Sequence, residues 1–183
     1  MSRIPAIVPA NAEGRARDLL DGVQRSIGIV PNLYRVTAQS PAVLEGLLNL
    51  SSTLSGGTLS PQLREQIALT VAERNGCDYC LAAHSFLGRK AGLSDADLEQ
   101  ARSARAADAK TEAALRFVAG VVDQAGRVSD ADLWSVRNAG FSDAEVIELV
   151  GQAVLNIFTN TLNNVAQTDI DFPKVGPANR LAA

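Results

Sequence analysis

Residues 65–84 read EQIALTVAERNGCDYCLAAH, and this stretch decides how the rest of the chain is understood. It holds both cysteines, Cys77 and Cys80, and the only histidine, His84. The residues after it, Ala82, Ala83, Ser85, Phe86 and Leu87, continue a helical run that Gly92 ends. With about 100° per residue, His84 lies about 40° from Cys80 and about 20° from Cys77. All three side chains then point roughly one way, provided that Cys77 sits at or near the first turn. Asn75-Gly76 supplies the break that lets a helix begin there.

Composition bounds the possibilities. The 183 residues are 46% hydrophobic and 20% charged, the profile of a folded globular chain rather than a disordered one. We expect one domain over 1–183, with a core motif at 60–93. Aromatic residues are only 4%, so the core must be built from Ala, Leu and Val, which packed helices do most easily. A net charge of −3 without a long basic run argues against nucleic acid. No apolar run reaches the ~18–20 residues of a membrane span. The opening MSRIPAIVPANAEG, broken by Pro5 and Pro9, does not read as an export signal. The expectation is a cytoplasmic chain whose cysteine pair is catalytic, redox-active or metal-binding rather than a structural staple.

Helix signals continue outward from the central stretch. Ser60-Pro61 is an N-cap followed by proline at the first helical position, opening a helix to about Arg74 with Leu63, Ile67, Ala68, Val71 and Ala72 as its apolar face. That helix and the cysteine helix form a tight hairpin. Upstream, helices are expected over 12–27, stopped by Gly28, over 32–39, and from Pro41 to Gly56-Gly57. Downstream, Ser-Asp-Ala-acidic occurs at 94–97, 129–132 and 142–145. Each is a capping box that starts a helix, near 95, 130 and 143. A further helix spans 110–124. No segment has the period-two pattern of a strand, so the chain reads as all-α, with about eight helices. The last long helix, 143–166, carries Asn156, Asn160 and Asn164 on one face with Asn163 adjacent. They either pair between helices or subunits, or form a polar wall of the site. The tail 169–183 is expected to wrap a surface or a neighbouring subunit.

A thiol must lose its proton to react, and a free cysteine has a pKa of about 8.5. Three devices here favour the thiolate: a helix N-terminus, a partner sulfur, and a histidine one turn from Cys80 that can take the proton. Glu65, on the preceding helix, could hold the imidazole if the hairpin brings it close. Zinc is an alternative, but the two cysteines and one histidine need a fourth ligand from Asp78, Glu65 or water.

The stretch resembles the alkyl hydroperoxidase D-like family, within the carboxymuconolactone decarboxylase superfamily. The resemblance rests on Glu65, on Cys77-x-x-Cys80 twelve residues later, on His84 four residues after Cys80, and on the text NGCDYCLAAHSFLGRKAGLS. The segment IVPNLYR at 29–35 and the end FTNTLNNVAQTDIDFP extend it to the peroxidase-related subgroup. It implies an all-α bundle with the C-x-x-C pair at a helix N-terminus. It also implies a thiol-dependent peroxidase acting on alkyl or hydrogen peroxide. Cys80 would attack the peroxide and become a sulfenic acid, Cys77 would resolve it to a disulfide, and His84 with Glu65 would relay the proton. No bound cofactor or metal is implied. The reductant would be an external dithiol, such as a lipoylated protein, and the assembly a homo-oligomer, trimer or hexamer. This chain departs at Tyr79, where some characterised members have a second histidine. A phenol donates a hydrogen bond but takes no proton at neutral pH, so the relay reduces to His84, Glu65 and water. The alternatives are a redox sensor without efficient turnover and a decarboxylase-like enzyme of the superfamily, though that branch does not use a C-x-x-C pair.

Overall fold

The computed structural model describes residues 2–176, and within them the chain forms nine α-helices and no strand. In order they are α1 Gly14–Ile27, α2 Asn32–Thr37, α3 Pro41–Ser55, α4 Pro61–Arg74, α5 Asp78–Lys90, α6 Asp95–Arg102, α7 Ala109–Asp123, α8 Asp130–Asn138 and α9 Asp143–Ala166. The all-α expectation holds.

α4 is the axis of the molecule, with α5, α6, α7 and α9 packed around it. Every residue from Gln66 to Ala72 is buried. The sequence suggested a one-sided apolar stripe, but a helix surrounded by four others is buried on every side. Thr70 Oγ1, buried on it, donates to the Ala101 carbonyl of α6 at 2.6 Å. Ile67, Leu69, Val71, Leu115, Val118 and Leu149 form the centre of this core. Each such side chain, removed from water, contributes about 1.5–3 kcal/mol. A smaller cluster, Ala12, Ala16, Leu20, Ala38 and Leu44, joins α1, α2 and α3.

The helix starts follow local chemistry. Ser60 Oγ accepts from Leu63 N at the head of α4. Ser94, Ser129 and Ser142 each form a complete capping box, with Asp97, Asp132 and Glu145 answering. Two boundaries differ from expectation. The first helix begins at Gly14 rather than at 12, because Pro9–Asn11 forms a 3-10 turn that uses the Ala12 N–H. α2 ends at Thr37 rather than at 39, because Ser40 precedes a proline and takes an extended conformation. The turn between α3 and α4 is fixed by Glu148 of α9, which accepts from Thr58 N at 2.8 Å and from Leu59 N at 3.3 Å.

After α9 the chain folds back over its own surface. Asp171 Oδ2 accepts from Asn32 N at 2.7 Å, and the Asp169 carbonyl accepts from Asn32 Nδ2 at 2.9 Å. The tail therefore packs on this chain as far as Gly176; 177–183 lie outside the described residues. Ile147, Val154, Phe158 and Val165 remain exposed along α9. Among the described residues no helix is long and apolar enough to cross a membrane.

Candidate active site

The hairpin between α4 and α5 builds the site. Gly76 adopts φ +58, a left-handed conformation that glycine takes without steric cost, and the chain reverses there. Cys77 N then donates back to the Ala72 carbonyl at 3.0 Å. Cys77 itself is the N-cap of α5, and its sulfur accepts from Cys80 N at 3.3 Å. The loop is pinned to α9 through Asn75: its Nδ2 donates to Asn160 Oδ1 at 3.0 Å, and its carbonyl accepts from Asn164 Nδ2 at 2.8 Å.

Cys77 and Cys80 are joined as a disulfide with their Cα atoms 5.3 Å apart, inside the usual range for such a bond. Both are buried, Cys77 fully and Cys80 to within 3%. His84 stands one turn after Cys80 on α5. Its Nδ1 is 2.8 Å from Glu65 Oε2 on α4, and both side chains are about one-fifth exposed. The hairpin thus brings together all four residues singled out in the sequence: Cys77, Cys80, His84 and Glu65. The cysteines are engaged with each other and His84 with Glu65. Among the described residues no group of three or more His, Cys, Asp or Glu is placed to hold a metal.

Cys80 and His84 line a cavity of about 540 Å³. Its walls are largely apolar, including Ile29, Leu33, Leu47, Leu155 and Phe172. Asn156 and Asn163 of α9 face it as well. Asn163 is 97% buried and its Nδ2 donates to Cys80 Sγ at 3.3 Å, while its Oδ1 has no hydrogen-bond partner. The asparagine band of α9 therefore serves both expected purposes. Asn160 and Asn164 pair with the loop, and Asn156 and Asn163 wall the cavity.

Tyr79 is engaged away from His84 and Glu65. Its hydroxyl accepts from Leu33 N at 3.1 Å, and its ring meets Phe172 edge-on at 5.8 Å. Burial pushes its pKa well above that of an ordinary phenol, with the Asp171 carboxylate adding to the effect. Tyr79 is a strut that holds α2 and the C-terminal segment over the site. At the cavity, Lys90 Nζ lies over the Phe86 ring, 4.6 Å from its centroid. Tyr34, Phe172 and Lys90 were not singled out as site residues in the sequence, because nothing local to them marks proximity to Cys80.

Residues 41–124 match the family model for the carboxymuconolactone decarboxylase family, a span that contains the whole α4–α5 hairpin. The chain has the alkyl hydroperoxidase D-like fold. Among solved structures, it is similar to an alkylhydroperoxidase AhpD core, an uncharacterized peroxidase-related protein of Ralstonia eutropha JMP134. That match has a TM-score of 0.83 and 23% identity, over 93% of this chain and 92% of the other. A peroxidase-related protein from Silicibacter sp. TM1040 matches with a TM-score of 0.79 and 21% identity, over 91% of each chain. The debrominase Bmp8, in its C82A form with 2,3,4-tribromopyrrole, matches with a TM-score of 0.78 and 15% identity, over 92% of this chain and 91% of the other. At these identities the likeness concerns the fold. No curated protein sequence matches the chain.

Proposed function

We propose that this chain is a member of the carboxymuconolactone decarboxylase superfamily and a thiol-dependent peroxidase that cycles between a Cys77/Cys80 dithiol and the disulfide. The observation that carries the reading is the Cys77–Cys80 disulfide at the head of α5, with Cys80 on a cavity that also holds a glutamate-supported histidine. A helix N-terminus favours a thiolate, and a histidine bonded to a carboxylate is a competent proton carrier.

The cycle begins with reduced Cys80. Its sulfur attacks the terminal oxygen of the hydroperoxide; the S–O bond forms and the O–O bond breaks. His84 takes the thiol proton and passes it to the departing alkoxide, so an alcohol leaves and Cys80 becomes a sulfenic acid. The Cys77 sulfur then attacks Cys80 Sγ. The S–S bond forms, and the hydroxide lost takes the Cys77 proton to become water. An external dithiol, a lipoylated protein or a small dithiol, returns two electrons and two protons and becomes a disulfide itself.

The test is a rapid-mixing assay of the reduced protein with tert-butyl hydroperoxide and with hydrogen peroxide, followed by dihydrolipoamide. Loss of two thiols per chain, far faster than with free cysteine, and recovery with the donor are expected. Thiol loss at the free-cysteine rate, or peroxide consumption that survives Cys80→Ser, would sink the reading.

A further inference from the structure

We propose that Asn163 is a catalytic residue, a hydrogen-bond donor that holds the reduced Cys80 sulfur as a thiolate. The inference deepens the peroxidase reading and rests on it in taking Cys80 as the reacting sulfur.

The argument starts from an imbalance at Asn163. Its side chain is 97% buried, its Nδ2 donates to Cys80 Sγ at 3.3 Å, and its Oδ1 is unpaired. A disulfide sulfur is a weak acceptor, so in the oxidised chain this amide is poorly satisfied on both sides. Buried polar groups are nearly always paired, and an exception needs a cause. Reduction improves the Nδ2 side of this imbalance. Two electrons and two protons from the donor dithiol break the S–S bond, and the donor leaves as its own disulfide. If Cys80 then releases its proton to His84, the sulfur carries a full charge. The same Nδ2–H then makes a charge-assisted bond, roughly twice as strong as a neutral one. The amide is thus better matched to the reduced state than to the oxidised one.

The remaining surroundings of Cys80 leave this position to Asn163. The titratable groups on the same cavity are Tyr34 from α2 and Tyr79, His84 and Lys90 from α5, with Glu65 of α4 behind His84. Tyr79 is occupied with Leu33. Tyr34 is kept protonated by burial. Lys90 is exposed and lies over Phe86. α3 contributes Leu47 and Ser51, and α9 contributes Leu155, Asn156 and Thr159, none of them charged. Asn156 donates its own Nδ2 to the Gln152 carbonyl at 2.8 Å. The structure records two donors to the cysteine pair: Cys80 N to Cys77 Sγ, and Asn163 Nδ2 to Cys80 Sγ. Only the second reaches the sulfur that faces the cavity.

The experiment measures Cys80 in the reduced full-length chain. Iodoacetamide alkylation is followed from pH 5 to 10, with the modified cysteine assigned by mass spectrometry. Asn163→Leu, close in size, should move the alkylation midpoint upward by about one unit and slow the reaction at pH 7 about tenfold. At a pH above both midpoints, the equilibrium with dithiothreitol should shift about tenfold toward the disulfide, or about 30 mV more negative, because the variant loses stabilisation of its thiolate. Asn163→Ala, which only removes atoms, should shift both readouts the same way if the leucine variant does not fold. Asn163→Gln should restore part of each. A residue that merely packs would alter the melting temperature and leave the pH midpoint in place. An unmoved midpoint in helical, folded variants therefore overturns the proposal. If the unmodified chain reacts with peroxide but the variants keep its midpoint, this inference fails alone. If the variants shift the midpoint and the unmodified chain ignores peroxide, the peroxidase reading fails and the role at the thiolate stands.

Discussion

Glu65 Oε2 lies 2.8 Å from His84 Nδ1, which ties α4 to α5 across the hairpin that carries the cysteines. A carboxylate that accepts from Nδ1 fixes the imidazole tautomer and leaves Nε2 as the nitrogen that receives a proton. Glu65→Gln removes the charge that supports the imidazolium, and His84→Asn removes the carrier. Peroxide reduction should fall about tenfold in the first and about a hundredfold or more in the second. The check is kcat/KM against pH. The loss should be larger in His84→Asn than in Glu65→Gln at every pH.

The two cysteines should fail differently. Cys77→Ser leaves no resolving thiol, so one peroxide equivalent should stall Cys80 as a sulfenic acid, which dimedone traps with a mass gain on that residue. Cys80→Ser should show no adduct and no peroxide consumption. A dimedone adduct on Cys77 in the Cys80→Ser protein would reverse the assigned roles.

Removing the Tyr79 hydroxyl tests the strut. Tyr79→Phe leaves the Leu33 N–H without its acceptor, at a cost of about 1–3 kcal/mol in thermal or urea unfolding. The sign of the pH effect follows from the raised pKa: the folded state holds this proton more tightly than the unfolded one. That stability is complete below the ordinary phenol pKa of about 10 and is lost as the pH climbs toward the folded value. Tyr79→Phe should unfold less steeply at alkaline pH than the unmodified chain.

At the acid end the capping boxes decide. Asp97 and Asp132 are held below the usual carboxylate range by their side-chain bonds to Ser94 and Ser129, and Glu145 by its bond from the Ser142 backbone. Depressed folded values mean stability that is present above about pH 4 and is lost as the pH falls through them. Ser142→Ala should cost about 1 kcal/mol at neutral pH, measured by urea unfolding. It should also flatten the acid limb of the stability curve.

Much of this architecture was written locally. Ser60-Pro61, Gly28 and the three serine–acid boxes mark helix ends by chemistry that acts within one turn, and the structure keeps them. The same holds for the Cys80–His84 relation, which is a helix periodicity. Glu65 could be offered only conditionally, because its approach to His84 depends on how two helices pack. The cavity was not legible. Leu33, Leu47, Leu155 and Phe172 come from four separate parts of the chain, and none carries a signal of contact with Cys80. The asparagines of α9 fall in a band only about 100° wide. Its edges face different neighbours, so Asn163 meets a sulfur while Asn164, one position on, meets the Asn75 carbonyl. All-round burial of α4 was hidden for the same reason: a helix does not encode how many others surround it.

Cys77 is at once the N-cap of α5 and one half of the disulfide. Breaking the S–S bond removes a covalent link, and the Cys77 sulfur, as a thiol, can still accept from the Cys80 amide. On that basis, opening and closing the bond is expected to need side-chain rotation rather than backbone rearrangement. Amide hydrogen exchange along α4 and α5 should accordingly be the same in the oxidised and reduced chains, so that turnover proceeds on a rigid frame without local unfolding.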